Sequence, residues 1–170
     1  ENAQPFETVR RHKSVAQEKT ALLKEDAAKL KEKLENLSLI FESGDNVCAL
    51  SEARKIVDLY PQALTAQHVM GSVFKRMGNL NQARRKFEFV VDTAFDYEDA
   101  LQFSAGAHFH LGLISLEEGK QEEAFQHFKN CVHLNPNHRE AWRKFWLLKR
   151  ESALKMTDKL SDSLETTTCL

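Results

Sequence analysis

Three segments of this chain repeat one another in phase, and that repetition restricts the fold more than any other feature. They are FESGDNVCALSEARKIVDLYP (41–61), KRMGNLNQARRKFEFVVDTAF (75–95) and LEEGKQEEAFQHFKNCVHLNP (116–136). Each carries a Gly, an Ala five residues later, and an Ala or Phe four further on. These are Gly44/Ala49/Ala53, Gly78/Ala83/Phe87 and Gly119/Ala124/Phe128. Pro61 and Pro136 fall 17 residues after their Gly, a place held by Phe95 in the middle copy. Gly71 and Gly112 stand seven residues before Gly78 and Gly119, with Leu37 in that place in the first copy.

On either side of each loop Gly, apolar residues recur at helical spacing, so every copy reads as two helices joined by a short turn. Gly44, Gly78 and Gly119 end the first helix, because Gly takes the left-handed conformation of a helix C-terminus without a Cβ clash. Asp45, Asn79 and Lys120 lead into the second helix; Asp and Asn are good N-cap types and Lys is not. The small residues Gly71, Gly112, Ala49, Ala83 and Ala124 let two helices approach closely, and Phe87 and Phe128 fill the space between that pair and the next. Pro61 and Pro136 stop the second helix. One such hairpin cannot bury its apolar face alone, so stacked copies share a continuous core.

These positions resemble the tetratricopeptide repeat. The third copy (108–138) resembles the motif at both glycines, Ala124, Phe128, Cys131 and Pro136, and the second at Gly71, Phe74, Gly78, Ala83 and Phe87. The first matches from Gly44 onward. The resemblance implies an all-α chain, a right-handed α-solenoid of about three helix-turn-helix repeats with a long N-terminal helix and a C-terminal capping helix. The expected organisation is a linker or tail of a preceding element at 1–15, a long helix at 16–42 and repeat one at 30–63. Repeat two with an extension follows at 64–104, repeat three at 105–138, a capping helix at 139–160 and a disordered tail at 161–170. Glu1 in place of Met suggests a piece excised from a longer chain.

Two departures from regularity carry information. The period is 34 residues from Gly44 to Gly78 but 41 from Gly78 to Gly119. The extra seven residues (98–104, EDALQFS) hold no Gly or Pro, and seven residues make about two helical turns. They predict a lengthened first helix in the third repeat, from about residue 97 to 118. At the front, Ala16, Leu23, Leu30 and Leu37 interleave with Thr20, Ala27, Leu34 and Phe41 in a 3.5-residue coiled-coil pattern. Ala16 and Thr20 make a poor dimer core, so the favoured reading packs this seam on Ala49, Ala53 and Ile56 of the same repeat. Beyond Pro136, the apolar residues Ala141, Trp142, Phe145 and Leu148 form the face of a capping helix.

Charge and composition narrow the function. The 24 Lys+Arg nearly match 25 Asp+Glu, without the basic excess of a dedicated nucleic-acid binder. No apolar run approaches the length of a membrane span. Cys48, Cys131 and Cys169 lack a CxxC spacing and read as reduced thiols of an intracellular, cytoplasmic protein. GxSxG, Walker, GxGxxG and HExxH signatures are all missing, so no enzyme and no cofactor is expected. Among seven histidines, His127 and Cys131 lie four apart and His133 follows, but a metal needs three or four convergent ligands. Satisfied or surface histidines are the favoured reading. Glu117, Glu118, Glu122 and Glu123, and the basic groups at 10–13, 75–76, 84–86 and 143–150, read as solvated faces. Thr168, Cys169 and Leu170 fit the loose pattern of a C-terminal PDZ ligand.

What remains is binding by shape. In the tetratricopeptide family the first helix of each pair lines a concave groove, and the resemblance transfers that role by position. It assigns Lys31, Leu34, Ser38 and Phe41 in the first repeat, although Leu34 and Phe41 also belong to the heptad seam. The second repeat supplies Thr65, His68, Ser72, Lys75 and Arg76. The third supplies Gly106, Phe109, Leu113 and Leu116, and the cap Arg143, Leu147 and Arg150. Such a groove would take an extended peptide or helix with an apolar anchor beside acidic residues. Chaperone-binding members clamp an EEVD tail with Lys, Asn and Arg, but the matching positions here are Leu34, Ser38, Val69, Gly106 and His110. Leu and Val cannot hold a carboxylate, so that tail is disfavoured. The expected role is a protein-binding scaffold or adaptor within a larger complex. The alternatives are a homodimer or assembly element formed through 16–42, and a regulatory part of a larger enzyme.

Overall fold

A computed structural model describes the backbone of residues 5–94 and 101–167 and the side chains of 24–94 and 101–157. Those residues form α1 (Pro5–Glu42), α2 (Asn46–Leu59), α3 (Leu64–Arg76), α4 (Leu80–Ala94), α5 (Leu101–Glu117), α6 (Gln121–Leu134) and α7 (Arg139–Thr167). Consecutive helices pack as antiparallel neighbours, and α3 also touches α1 and α5 directly. The first helices of the three hairpins therefore form the tighter inner row, and α2, α4 and α6 fan outward. The result is an all-α solenoid.

The turns follow the local chemistry. Gly44, Gly78 and Gly119 have φ of 84°, 76° and 76°, the left-handed region that a side chain resists. Asp45 caps α2, its carboxylate accepting from the backbone N–H of Val47 at 3.1 Å and of Cys48 at 2.9 Å. Asn79 accepts from Gln82 N–H at 3.2 Å, whereas Lys120 gives α6 no side-chain cap. Inside the hairpins, Phe87 and Phe128 are fully buried against Gly71 and Gly112.

Both ends run further as helix than the sequence suggests. Residues 5–15, expected as a linker or tail, continue α1 without interruption. Pro5 stands at the first helical position, where its missing N–H costs nothing, and no Gly or Pro follows before Gly44. Residues 161–167, expected to be disordered, belong to α7, and 168–170 with the PDZ-like ending lie outside the described residues. The lengthened helix of repeat three is present from Leu101 to Glu117, 17 residues against 13 in α3. Its expected start at residues 97–100 also lies outside the described residues. From Leu30 onward the heptad seam packs inward, while Ala27 is exposed: Leu37 is fully buried, and Leu30, Leu34 and Phe41 join the cluster containing Ala49, Ala53 and Ile56.

The repeat register also accounts for the length of α7. Trp146 lies ten residues after Pro136, as Gly71 does after Pro61, so a bulky ring occupies the place that elsewhere admits a packed Phe. Seven residues on, Ala153 stands where Gly78 and Gly119 turn the chain. Without that glycine α7 does not fold back, and it continues to Thr167.

Electrostatic ties reinforce the long-period joint. Arg84 on α4 donates from Nη2 to Glu118 at 2.8 Å and to Ser115 Oγ at 3.3 Å, and from Nη1 to Glu123 at 2.5 Å. Only 17% of its side chain is accessible. Burial opposes its charge, but the two carboxylates outweigh that and raise its pKa. Arg84, Glu118 and Glu123, read from sequence as a solvated face, instead fasten α4 to α5 and α6. Sequence spacing could not show this, because the partners lie 34 and 39 residues away.

Candidate partner-binding groove

The inner row of helices encloses a concavity of about 440 Å³ lined by Phe41, His68, Ser72, Lys75, Arg76, His110 and Glu117. Each of α1, α3 and α5 contributes, because their inner faces converge on the concave side. Five expected residues meet here: Phe41 on α1, and His68, Ser72, Lys75 and Arg76 on α3, where positions 68, 72, 75 and 76 share one helical face.

The walls are built from specific contacts. Arg76 lies over the Phe41 ring, its Cζ 3.9 Å from the centroid, and its Nη1 donates to the Phe41 carbonyl at 3.2 Å. That pairing of a guanidinium with an aromatic face holds an exposed cation beside an apolar surface. Lys75 Nζ faces Glu117 Oε1 at 3.6 Å. Behind them, His68, His110 and Phe87 form an aromatic group. His110 stacks on Phe87 with ring centroids 4.8 Å apart, and His68 meets both edge-on at 5.3 Å.

The imidazoles in this floor are uncharged at neutral pH. Burial pushes the His68 pKa down. Burial, reinforced by His68, Lys75 and His138, brings His110 to about 3. The His110 Nδ1 is buried with no hydrogen-bond partner among the described residues. The groove therefore combines a neutral aromatic floor with a rim bearing Lys75, Arg76 and one acid, Glu117.

Gly106 lies against His68, and the expected residues of the third repeat's apolar face and of α7 lie elsewhere. Phe109, Leu113 and Leu116 pack half-buried against a second apolar cluster that includes Phe128, Ala141 and Leu148. Phe109 sits 4.5 Å from the His138 ring and 5.9 Å from Phe128, ring centre to ring centre. Arg143, Leu147 and Arg150 are exposed on α7. Glu117 and His110 were not among the expected binding residues. Glu117 stands two residues before its loop Gly, as Arg76 does, so the repeat register alone carried that signal.

His108, His127 and Cys131 lie in the hairpin packing of the third repeat. His108 and His127 face each other with Nδ1 atoms 3.2 Å apart, one ring donating to the other. Burial and the neighbouring His127 lower His108 to about 4. Cys131 is fully buried inside the hairpin, and burial raises its thiol to about 11. Among the described residues, no three His, Cys, Asp or Glu side chains converge on a metal site, and no helix is long and apolar enough to cross a membrane.

No protein-family model matches the sequence, and no curated protein matches it. Solved structures do. The first TPR of Spaghetti (RPAP3), bound to the HSP90 peptide SRMEEVD, is 19% identical with a TM-score of 0.62, over 73% of this chain and 93% of that one. The Yersinia enterocolitica type III secretion chaperone SycD, in complex with a peptide of the translocator YopD, is 15% identical with a TM-score of 0.61. That match covers 73% of this chain and 95% of SycD. A Thermobaculum terrenum O-GlcNAc transferase mutant is 20% identical over 72% of this chain with a TM-score of 0.59, but the chain spans 22% of that protein's length. The chain has the tetratricopeptide-repeat fold.

Proposed function

We propose that this chain is a non-enzymatic adaptor that holds a segment of another protein in the groove between α1, α3 and α5. The observation that carries the reading is the grouping of Phe41, Lys75, Arg76 and Glu117 around a concavity floored by uncharged His68 and His110. Such a site has apolar area to desolvate an anchor and cations to orient it. The fitting ligand is an extended peptide or helix carrying an aliphatic or aromatic anchor next to Asp or Glu. Peptide complexes of the RPAP3 repeat and of SycD support the use of this fold for peptide capture.

An EEVD tail remains disfavoured. Leu34 and His110 stand where a clamp needs cations, Val69 and Ser38 where it needs amides, and Gly106 in the third repeat offers no side chain. The test is a peptide array of apolar anchors with acidic, neutral or basic flanks, read against the full chain. Saturable binding confined to acidic-flanked peptides, lost in a Lys75→Glu/Arg76→Glu variant that keeps its helical circular dichroism, supports the reading. Binding that survives this double change removes the groove from the mechanism.

A further inference from the structure

Counting back from the loop glycines and forward from the prolines, His68, Ser72 and Lys75 on α3 correspond to Phe109, Leu113 and Leu116 on α5 and to Arg143, Leu147 and Arg150 on α7. The first row is partly covered by α5, where a Cβ on Gly106 would lie 3.1 Å from His68 and where Glu117 faces Lys75. The second row is partly covered by the start of α7, with His138 against Phe109. Among the described residues no helix lies over the third row, and Leu147 and Leu154 are 50% and 53% exposed.

The sequence of α7 continues that row with an internal symmetry. Along α7 one stripe runs Arg143, Leu147, Arg150, Leu154, Asp158, Ser161, Glu165. Its spacing averages close to 3.67 residues per turn, the period at which a stripe stays on one side of a nearly straight helix. About Leu154 the members pair at equal separations: Arg150 with Asp158 four residues away, Leu147 with Ser161 seven away, and Arg143 with Glu165 eleven away. Each cation has an anion as its mirror position, and the large Leu147 has the small Ser161.

We propose that α7 is a homodimerisation helix, its open stripe covered by the α7 of a second copy lying antiparallel across a two-fold axis at Leu154. A two-fold interface brings each position against its mirror on the partner. Leu154 then meets its own counterpart, and four cation–anion pairs form at once. A parallel arrangement would set Arg143 against Arg143 and Asp158 against Asp158, and like charges at that distance repel. The extension of α7 to Thr167, which the absence of a hinge glycine at 153 produces, supplies the acidic half that this pairing needs. The concavity around Lys75 lies on α1, α3 and α5, so a dimer of this kind leaves it open.

Charge exchange in the full chain tests the arrangement. Sedimentation equilibrium of the unaltered chain is expected to show a dimer whose dissociation constant rises about tenfold or more from low to high salt, as screening weakens four ion pairs. A chain with Arg143→Glu and Arg150→Glu has an all-acidic stripe, and one with Asp158→Arg and Glu165→Arg has an all-basic stripe. Each should be monomeric alone, and their mixture should form a 1:1 heterodimer. A Leu154→Cys chain with Cys48→Ser and Cys169→Ser should oxidise to a covalent dimer that retains native circular dichroism. A native chain that stays monomeric at every concentration, or variants that still self-associate because the contact lies on α1, overturns the proposal, as does a mixture that does not pair.

Discussion

Gly112 lies so close beneath Phe128 that a Cβ added there would stand 2.8 Å from the ring, closer than real contacts allow. The same contact recurs one repeat earlier, where Gly71 meets Phe87 at 2.9 Å. Both rings are fully buried. Gly112→Ala is therefore expected to destabilise the chain although Ala is the better helix former. Overpacking costs about 1–3 kcal/mol against a propensity gain of about 1, for a net loss near 1 kcal/mol. Urea denaturation followed by circular dichroism reads the difference. An unchanged or raised midpoint would mean that the ring can yield and that close approach is not what the glycine supplies.

Lys75 and Glu117 make opposite predictions at the groove. At 3.6 Å and partly exposed, their ion pair contributes little to stability. Glu117 also competes with an acidic ligand for the same ammonium. Glu117→Gln is expected to tighten binding of an acidic-flanked peptide, and Lys75→Gln to weaken it, each by about threefold to tenfold, with thermal stability nearly unchanged. Fluorescence anisotropy with one labelled peptide measures both. Weakening by both changes would place the ligand on Glu117 instead.

Legibility from sequence divides along the range of the interactions. The glycine hinges at 44, 78 and 119, the Asp45 and Asn79 caps and the Gly112–Phe128 contact are local or set by the register of one repeat, so spacing reveals them. The helix ends at Pro5 and Thr167 are harder, because nothing but the lack of a breaker keeps those segments helical. Groove membership is harder still. His68 and Phe109 hold equivalent register positions, but one lines the concavity and the other packs half-buried against the second cluster. Their difference comes from what the next helix lays over them, Gly106 in one case and His138 in the other, and one repeat read alone does not contain that information.

Arg84 shows the same limit and yields a stability prediction. Its guanidinium spans α4 to α6 by holding Glu118 and Glu123, while Ser115 Oγ also donates to the Leu111 carbonyl at 2.9 Å. Arg84→Met keeps the aliphatic stem and removes every hydrogen bond, leaving two carboxylates beside each other. The expected loss is about 1–2 kcal/mol, with Arg84→Lys intermediate because an ammonium cannot match the two-armed geometry. Chemical denaturation of the three chains orders them. A lysine variant as stable as the original would show that charge alone holds the joint.

Acid should weaken this fold well before its carboxylates titrate. His68, His108, His110 and His127 all have pKa values below the ordinary 6.5, with burial the first cause in each case. In the unfolded chain these rings take up protons near pH 6.5, whereas in the folded chain His108 does so only at about 4 and His110 at about 3. The unfolded state thus binds more protons throughout that interval, so stability is complete above pH 6.5 and falls as the pH drops toward the folded values. At pH 5 each of the two most depressed rings removes about 2 kcal/mol by linkage. Glu118 and Glu123, held low in the fold, extend the loss only at still lower pH. His110→Phe should flatten the slope between pH 7 and 5, because Phe keeps the stack on Phe87 and His110 Nδ1 has no partner to lose among the described residues. Denaturation midpoints at the two pH values, in the original and the variant, provide the comparison. An equal slope in both chains would mean that the ring is already protonated in the fold, contrary to its burial.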